Sequence, residues 1–178
     1  PELFAQTTCF IQANGFINYK LTNQLSLDNV HATLLQLRNY KTDSWSEEMC
    51  KICEVNPDKF PDINNGYEIL GEVTKEASQL TGLKKGTTVM VGTVDGAAAA
   101  LEAGAVEQGT VAEMTGSSSV LLIPDNTGII EPSFIAMPHA MPDMHLLLGA
   151  LVSTGASLKW FRDQLGETEI KKSMELDK

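Results

Sequence analysis

The stretch T-G-L-K-K-G-T-T-V-M-V-G-T-V-D-G-A-A-A-A-L-E-A-G-A-V, residues 81–106, decides the fold class of this chain. Residues 87–94 are mostly apolar or β-branched, which is the composition of a strand buried on both faces. Asp95 and Gly96 end this strand, and the alanine-rich segment 97–104 predicts a short helix. A strand that leads directly into a helix indicates an α/β protein.

Asp95 stands at the junction of this strand and this helix, and two interpretations of it remain open. Ligands of open α/β sheets bind outside the carboxyl ends of strands, so Asp95 is placed to meet a substrate. The start of a helix also favours an ionised carboxylate, which a general base requires. The alternative is that Asp95 only caps the helix, which is a common use of aspartate.

Beyond Gly109 the chain changes to extended segments separated by turns. The final helix carries Leu158, Phe161 and Leu165 and ends at Gly166, and the polar tail after it is expected to fray. The predicted strands are 110–114, 119–123, 129–137 and 144–151, with turns at 115–118 and 125–128. This change of pattern predicts a domain boundary near Gly109.

Two short segments rich in glycine and hydroxyl side chains lie in this second part, at 115–119 and 153–157. Small residues let backbone N–H groups approach a phosphate closely, both in a turn and at the start of a helix. The same residues also suit ordinary hairpin turns and close packing against a sheet. Neither segment has the spacing of a Walker A loop or of a G-x-G-x-x-G fingerprint, which disfavours P-loop and Rossmann proteins.

The part before residue 81 is predicted to be mainly helical. Phe4, Thr8 and Ile11 share one helical face, and Asn14-Gly15 is expected to interrupt the helix before Phe16. Ser44 to Glu47 has the S-x-x-E form of a capping box. Another helix is predicted at 74–81, with Val73, Ala77 and Leu80 on one side and Gly82 after its end.

Cys50 and Cys53 form a C-x-x-C pair, which fits half of a zinc site or a redox pair. However, Trp45, Met49, Ile52 and Cys53 have the spacing of one apolar helical stripe. No second cysteine pair or suitably spaced histidine completes a metal site. Core packing is therefore the preferred interpretation, no protein metal site is predicted, and a reduced, cytoplasmic protein fits best.

Composition excludes several classes of function. The 178 residues carry a net charge of −10 and contain 43% hydrophobic residues. No basic cluster suited to nucleic acid is present, and the longest apolar stretches are too short to span a bilayer. The chain opens without the pattern of a secretory signal. We therefore expect no nucleic-acid partner and no membrane partner.

Taken together and in order, these segments resemble the FGGY carbohydrate kinases. Residues 81–106 are similar to the strand, aspartate and glycine-rich helix that close the N-terminal domain of that family. A-E-M-T-G-S-S-S-V-L-L, residues 112–122, is similar to the turn that opens its C-terminal domain. M-P-H-A-M-P, residues 137–142, resembles the xylulokinase-like members, and T-G-A-S-L-K-W-F-R-D, residues 154–163, resembles the nucleotide-binding helix of glycerol kinase.

The resemblance implies an α/β protein with the actin-like ATPase (ribonuclease H-like) fold, in which two domains close over a sugar and ATP with Mg²⁺. Asp95 would be the catalytic base that takes the proton from the sugar hydroxyl. Gly116 and Ser117 would contact the ATP phosphates, and Gly155 and Lys159 would contact the nucleotide. Residues 1–109 would be the C-terminal part of the sugar-binding domain. Residues 110–178 would be the first part of the nucleotide-binding domain.

Three positions depart from the family pattern. Lys159 stands where glycerol kinase has an amide side chain, and Ser117 replaces the usual threonine. Gly96 follows Asp95 where some members place Gln or Asn against the substrate. This difference disfavours glycerol as the substrate and favours gluconate- or pentulose-type sugars. His31, His139 and His145 have no evident catalytic partner in the sequence, so we expect them to pack in the core or lie on the surface.

Three family elements are missing, namely the D-x-G-T phosphate-binding strand pair, the substrate-contacting loop and the later glycine-rich adenine site. The chain is therefore expected to be an internal fragment that does not turn over alone. Apolar surface left exposed by the missing parts would favour a homo-oligomer. The alternative function is a non-catalytic, kinase-like module that binds a sugar or a partner.

Overall fold

The computed structural model of the chain describes residues 2–128, 131–166 and 171–172. Its helices are α1 (Glu2–Gln6), α2 (Ala13–Thr22), α3 (Asn29–Leu34), α4 (Glu47–Ile52), α5 (Lys75–Thr81), α6 (Asp95–Glu102) and α7 (Thr154–Leu165), with a 3-10 turn at Pro57–Lys59. Its strands are β1 (Leu27–Asp28), β2 (Arg38–Asn39), β3 (Ser44–Trp45), β4 (Ile63–Asn64), β5 (Ile69–Glu72), β6 (Thr88–Met90), β7 (Ala112–Thr115), β8 (Ser119–Asp125), β9 (Ile135–Pro138) and β10 (His145–Leu151). None of these helices has both the length and the apolar character that crossing a bilayer requires.

The largest sheet has four antiparallel strands in the order β7-β8-β10-β9. Strands β8 and β10 pair along their full length, from Ser119 opposite Leu151 to Asp125 opposite His145. The predicted turn at 115–118 joins β7 to β8 and is confirmed. The Asp125 carboxylate stabilises the turn after β8, because it accepts hydrogen bonds from the N–H groups of Thr127 and Gly128 at 3.2 and 3.1 Å.

The extended segment predicted at 129–137 is shorter in the structure, since β9 begins only at Ile135. Residues 129 and 130 lie outside the described residues. The same holds for most of the tail that is predicted to fray, at 167–170 and 173–178.

The glycine predicted to follow the 74–81 helix is confirmed at α5, which spans Lys75–Thr81. The Thr74 hydroxyl accepts a hydrogen bond from the N–H group of Ala77, and Gly82 follows the helix with φ +78°, where glycine is unstrained. At α4 the predicted capping residue is wrong by two positions. The Ser46 hydroxyl, rather than that of Ser44, accepts from the N–H group of Met49, because Ser44 pairs in β3.

Strand β6 differs from its prediction. It covers only Thr88–Met90 and buries only Val89, so the expected burial on both faces is wrong. The physical reason is that β6 pairs antiparallel with β5 in a two-stranded sheet, and only one face of that sheet packs against Val73 and Ala77. A continuous apolar run does not reveal how many layers will cover it.

Three other local predictions are wrong. Asn14-Gly15 does not interrupt the helix but lies inside α2, where a Cβ on Gly15 would lie 3.0 Å from the carbonyl oxygen of Ser26. Gly15 is thus used for close packing. Leu80 and Ile52 are exposed, so neither belongs to an apolar stripe facing the core.

The C-x-x-C pair is split between core and surface. Cys50 is fully buried and Cys53 is exposed, and both are free thiols. Burial, with a smaller contribution from the nearby Cys53, raises the pKa of the Cys50 thiol. Core packing is confirmed for Cys50. The described residues contain no group of three or more metal-ligating side chains.

The main hydrophobic core joins both sides of the predicted boundary at residue 109. Helix α6 faces the four-stranded sheet through buried alanines, and Val30 of α3 closes the cluster. The buried members of this core are Val30, Ala97, Ala100, Ala105, Ala112, Leu122, Met137 and Leu146. The residue at the start of α6 shares a cavity with Met137 of β9 and Leu148 of β10.

Candidate functional site

Asp95 is the first residue of α6, and the residue before it, Val94, occupies the N-cap position without a side-chain hydrogen bond. The Asp95 carboxylate does not reach the next turn of the helix. Among the residues that the structure describes, the adjacent N–H group of Gly96 is the one donor to its Oδ1, at 2.7 Å. The interpretation of Asp95 as a helix cap therefore does not describe this structure, and its exposed carboxylate remains available to a ligand.

Asp95 lies on the wall of a cavity of about 500 Å³, a volume typical of sites for small molecules. The wall combines the start of α2, helix α3, the segment that leads into α6 and strands β9 and β10. The other lining residues are Gln12, Ala13, Asn14, His31, Leu34, Thr93, Val94, Gly96, Met137 and Leu148. The structure thus places Asp95 among polar groups from distant parts of the chain.

His31 is a lining residue that the sequence analysis missed. Its Nδ1 contacts Oδ2 of Asp28, whose side chain is fully buried. The sequence analysis assigned His31 to the core or the surface without a catalytic partner, and it did not identify this contact with Asp28. The available signal was the Asp-x-x-His spacing, because an N-cap aspartate lies one helical turn before the third helical residue.

His139 also has fixed partners, but they are structural. Its Nδ1 accepts from the N–H group of Met141 at 2.8 Å, and its Nε2 lies 2.9 Å from the carbonyl oxygen of Ala105. Nε2 must therefore carry the proton in the neutral ring. Burial lowers the pKa of His139, against a smaller opposing effect of the Ala105 hydrogen bond. Core placement is confirmed for His139, and His145 is exposed at the start of β10.

The four residues predicted to contact nucleotide lie together. Gly116, Ser117, Gly155 and Lys159 line a second cavity of about 570 Å³. Gly116 and Ser117 come from the turn between β7 and β8, and the other two come from the first two turns of α7. Residues almost forty positions apart in the chain are thus brought to one site by the pairing of β8 with β10.

A hydrogen bond and a close backbone approach hold the turn against the helix. The N–H group of Ala156 donates to the carbonyl oxygen of Ser117 at 3.1 Å. A Cβ on Gly155 would overlap the carbonyl oxygen of Gly116. The N–H group of Gly116 donates to Ser118 within the turn, whereas the N–H groups of Ser117 and Ser118 have no such partner among the described residues. Of these two residues, Ser117 lines the cavity, so its amide is a donor open to an anion there.

The charge around this cavity suits an anion, although the whole chain is acidic. Lys159 lines the cavity together with Asp163. The Asp163 carboxylate accepts a hydrogen bond from Nη2 of Arg162 at 2.6 Å, so its negative charge is partly balanced. Lys159, Arg162 and Asp163 together carry a net charge of +1.

The two cavities have no lining residue in common. The structure therefore does not bring Asp95 together with Gly116, Ser117, Gly155 and Lys159. It assembles two separate sites, one beside α6 and one between the β7–β8 turn and α7.

The chain is similar to known carbohydrate kinases along nearly its whole length. A sequence model of the FGGY family of carbohydrate kinases, N-terminal domain, matches residues 1–102. The xylulose kinase of Bacillus subtilis is 23% identical over 95% of the chain, and the gluconokinase of Bacillus licheniformis is 26% identical over 99% of it. The chain spans about a third of the length of these relatives, 34% in both cases.

Solved structures agree with the sequence match. The crystal structure of xylulose kinase from Rhodospirillum rubrum superposes with a TM-score of 0.90 and 25% identity, over 99% of this chain and 36% of that one. Such sugar kinases have the actin-like ATPase fold, so the predicted fold class is confirmed. Since the family model covers more than half of the chain, this protein belongs to the FGGY family of carbohydrate kinases.

Proposed function

We propose that the complete encoded protein transfers the γ-phosphoryl group of ATP to a hydroxyl group of a sugar or polyol, with Asp95 as general base. Family membership supports the reaction class. The observation that carries the role of Asp95 is its position, because it is an exposed carboxylate at the start of α6 on the wall of a cavity of about 500 Å³.

The chemistry requires a proton acceptor within hydrogen-bond reach of the reacting hydroxyl. Oδ1 of Asp95 is occupied by the N–H group of Gly96, which holds the carboxylate in place. Oδ2 then takes the hydroxyl proton while the hydroxyl oxygen bonds to the γ-phosphorus. The bond from that phosphorus to the oxygen of the departing ADP breaks, and the proton leaves Asp95 for solvent.

The second cavity is proposed to hold ATP. Ser117 lines this cavity and its N–H group has no backbone partner among the described residues, so we expect it to donate to a phosphate oxygen, and Lys159 to supply a positive charge. Gly116 and Gly155 keep the turn and the helix close together. Mg²⁺, when bound with ATP, would neutralise phosphate charge, and it needs few protein ligands because it usually keeps several waters.

The predicted domains, 1–109 and 110–178, are retained as part of this proposal. Asp95 belongs to the first and the proposed nucleotide residues belong to the second. Because the two cavities share no residue, phosphoryl transfer requires them to approach each other when both substrates are bound. We expect the isolated 178-residue chain to be inactive. ATP-dependent sugar phosphorylation by that chain would contradict this expectation.

The test is sugar-dependent ADP release by the complete protein with ketopentoses, aldonates and polyols. Asp95→Asn keeps the size of the side chain but removes its basicity, so we expect kcat to fall about 10²- to 10⁴-fold with sugar affinity retained. The matched control is Glu102→Gln, because Glu102 is an exposed carboxylate at the other end of the same helix. Its kcat should match the wild type.

Two results would refute the proposal. Equal kcat in the Asp95→Asn variant would remove Asp95 from the role of base. ADP release at background level with every sugar, together with sugar binding, would instead favour a kinase-like module that binds sugar without catalysis.

A further inference from the structure

His31 faces the same cavity as Asp95, although the two residues are far apart in sequence. It lies in the first turn of α3, next to the cavity wall formed by the start of α2. About a fifth of its side chain is exposed, 21%. The imidazole is therefore held by the fold but remains accessible from the cavity.

Asp28 fixes the orientation of this ring. Its side chain is fully buried, and its Oδ1 accepts a hydrogen bond from the backbone N–H group of His31 at 3.1 Å. Its Oδ2 contacts His31 Nδ1 and lies 3.5 Å from Nδ2 of Asn14. A buried carboxylate is costly without such partners, so Nδ1 carries a hydrogen that donates to Asp28.

The other ring nitrogen is left for a ligand. Nε2 of His31 has no hydrogen-bond partner among the residues that the structure describes. In the neutral ring with Nδ1 protonated, Nε2 is an acceptor. Such an acceptor on a cavity wall matches a hydroxyl group, which is the group that a sugar offers in the greatest number.

Two neighbouring polar atoms have unused hydrogen-bonding capacity. Oδ1 of Asn14 and Oγ1 of Thr93 are buried without a hydrogen-bond partner in the described part of the chain. Both residues line the Asp95 cavity. An unsatisfied buried polar atom is destabilising, so small side-chain rotations toward a bound polyhydroxylated molecule would be favourable.

We propose that Nε2 of His31 accepts a hydrogen bond from a hydroxyl group of the sugar bound beside Asp95, and that Asp28 is the positioning residue for this contact. The inference rests on the proposed function, because it assigns a further binding residue to the same site. Lys and Arg are absent from the described lining of this cavity, so the group recognised by His31 is a hydroxyl rather than a carboxylate. His31 thereby selects for a hydroxyl at one position of the sugar.

A direct readout uses the complete protein with ¹⁵N-labelled histidine. His31→Gln assigns the His31 signals, and D-xylulose, D-gluconate and glycerol are added in turn at saturating concentration. We expect Nδ1 to be protonated before addition, and the Nε2 resonance to shift when a sugar binds. This readout does not depend on catalysis, so it is applied equally to Asp95→Asn.

Kinetics supply the second readout. Loss of one hydrogen bond to a neutral hydroxyl predicts that His31→Gln raises KM about three- to tenfold, with kcat changed less than twofold. The corresponding monodeoxy sugar should bind equally to wild type and variant. His145→Gln is the matched control, because His145 is exposed and lies outside the Asp95 cavity.

The outcomes separate this inference from the proposed function. Turnover without a shift of His31 Nε2, and with unchanged KM in His31→Gln, would overturn the inference and leave the kinase proposal intact. A shift of Nε2 on sugar binding without turnover would support the inference and remove the kinase proposal. Absence of both binding and turnover with all three probes would overturn both.

Discussion

Replacement of Gly155 by alanine tests whether the approach of α7 to the β7–β8 turn holds the proposed nucleotide site together. A Cβ on Gly155 would overlap the Gly116 carbonyl oxygen and would lie 3.1 Å from the Gly116 carbonyl carbon. These atoms belong to the backbone, so no flexible side chain can move away. The turn and the helix must therefore separate, which would also weaken the hydrogen bond from Ala156 to Ser117.

The magnitude follows from two opposing effects. Overpacking against backbone costs about 1–3 kcal/mol, and the weakened hydrogen bond adds about 0.5–1.5 kcal/mol. Alanine in a helix recovers up to about 1 kcal/mol relative to glycine. The net prediction for Gly155→Ala is a destabilisation of about 1–3 kcal/mol. For a domain of about 150–250 residues, the expected loss in Tm is about 2–12 °C.

The assay is thermal unfolding of the complete protein, together with ATP affinity measured by titration calorimetry. The control is Gly96→Ala, because a Cβ there has no atom within 4 Å and the residue lies in α6. We expect this control to keep or raise Tm. We expect Gly155→Ala to lower Tm and to weaken ATP binding about tenfold, roughly 1.4 kcal/mol. An unchanged Tm and ATP affinity in Gly155→Ala would refute the close contact and its role.

Two further predictions concern buried titratable groups. His139 has a lowered pKa in the folded chain, so below about pH 6.5 the unfolded state binds more protons and the free energy of unfolding falls, by at most about 1.4 kcal/mol per pH unit. Denaturant titrations should show a lower free energy of unfolding at pH 5.5 than at pH 7.5 in the wild type, and a smaller difference in His139→Gln. Equal differences in the two proteins would contradict the prediction. Cys53 is exposed, whereas Cys50 is buried and its thiol pKa is raised by burial. Iodoacetamide followed by mass spectrometry should therefore modify Cys53 well before Cys50, and equal rates would contradict the buried position of Cys50.

Local structure was largely predictable, because its causes lie close together in the chain. The glycine after α5 and the hairpin turn at 115–118 each depend on a few neighbouring residues. The errors share one cause. The predictions for Gly15, Leu80 and strand β6 were wrong because the environments of these residues are set by segments distant in sequence. No local pattern states whether an apolar residue will be covered.

The candidate sites were also predictable only in part from the sequence. The ordered set of segments at 81–106, 112–122 and 154–163 was sufficient to indicate the family, because a family pattern is a property of the chain itself. The place of His31 was not available from the sequence, since it depends on α2, α3, the start of α6 and strands β9 and β10 enclosing one cavity.

The sequence by itself determined the fold class, the family and some short-range features, such as the glycine that ends α5. The tertiary structure decided which residues face a ligand. It paired Asp28 with His31, placed His31 on the cavity wall that also carries Asp95, and joined the 115–118 turn to α7. The physical reason is that propensity and turn chemistry act over a few residues, whereas a cavity is formed by packing between segments that only the folded chain brings together.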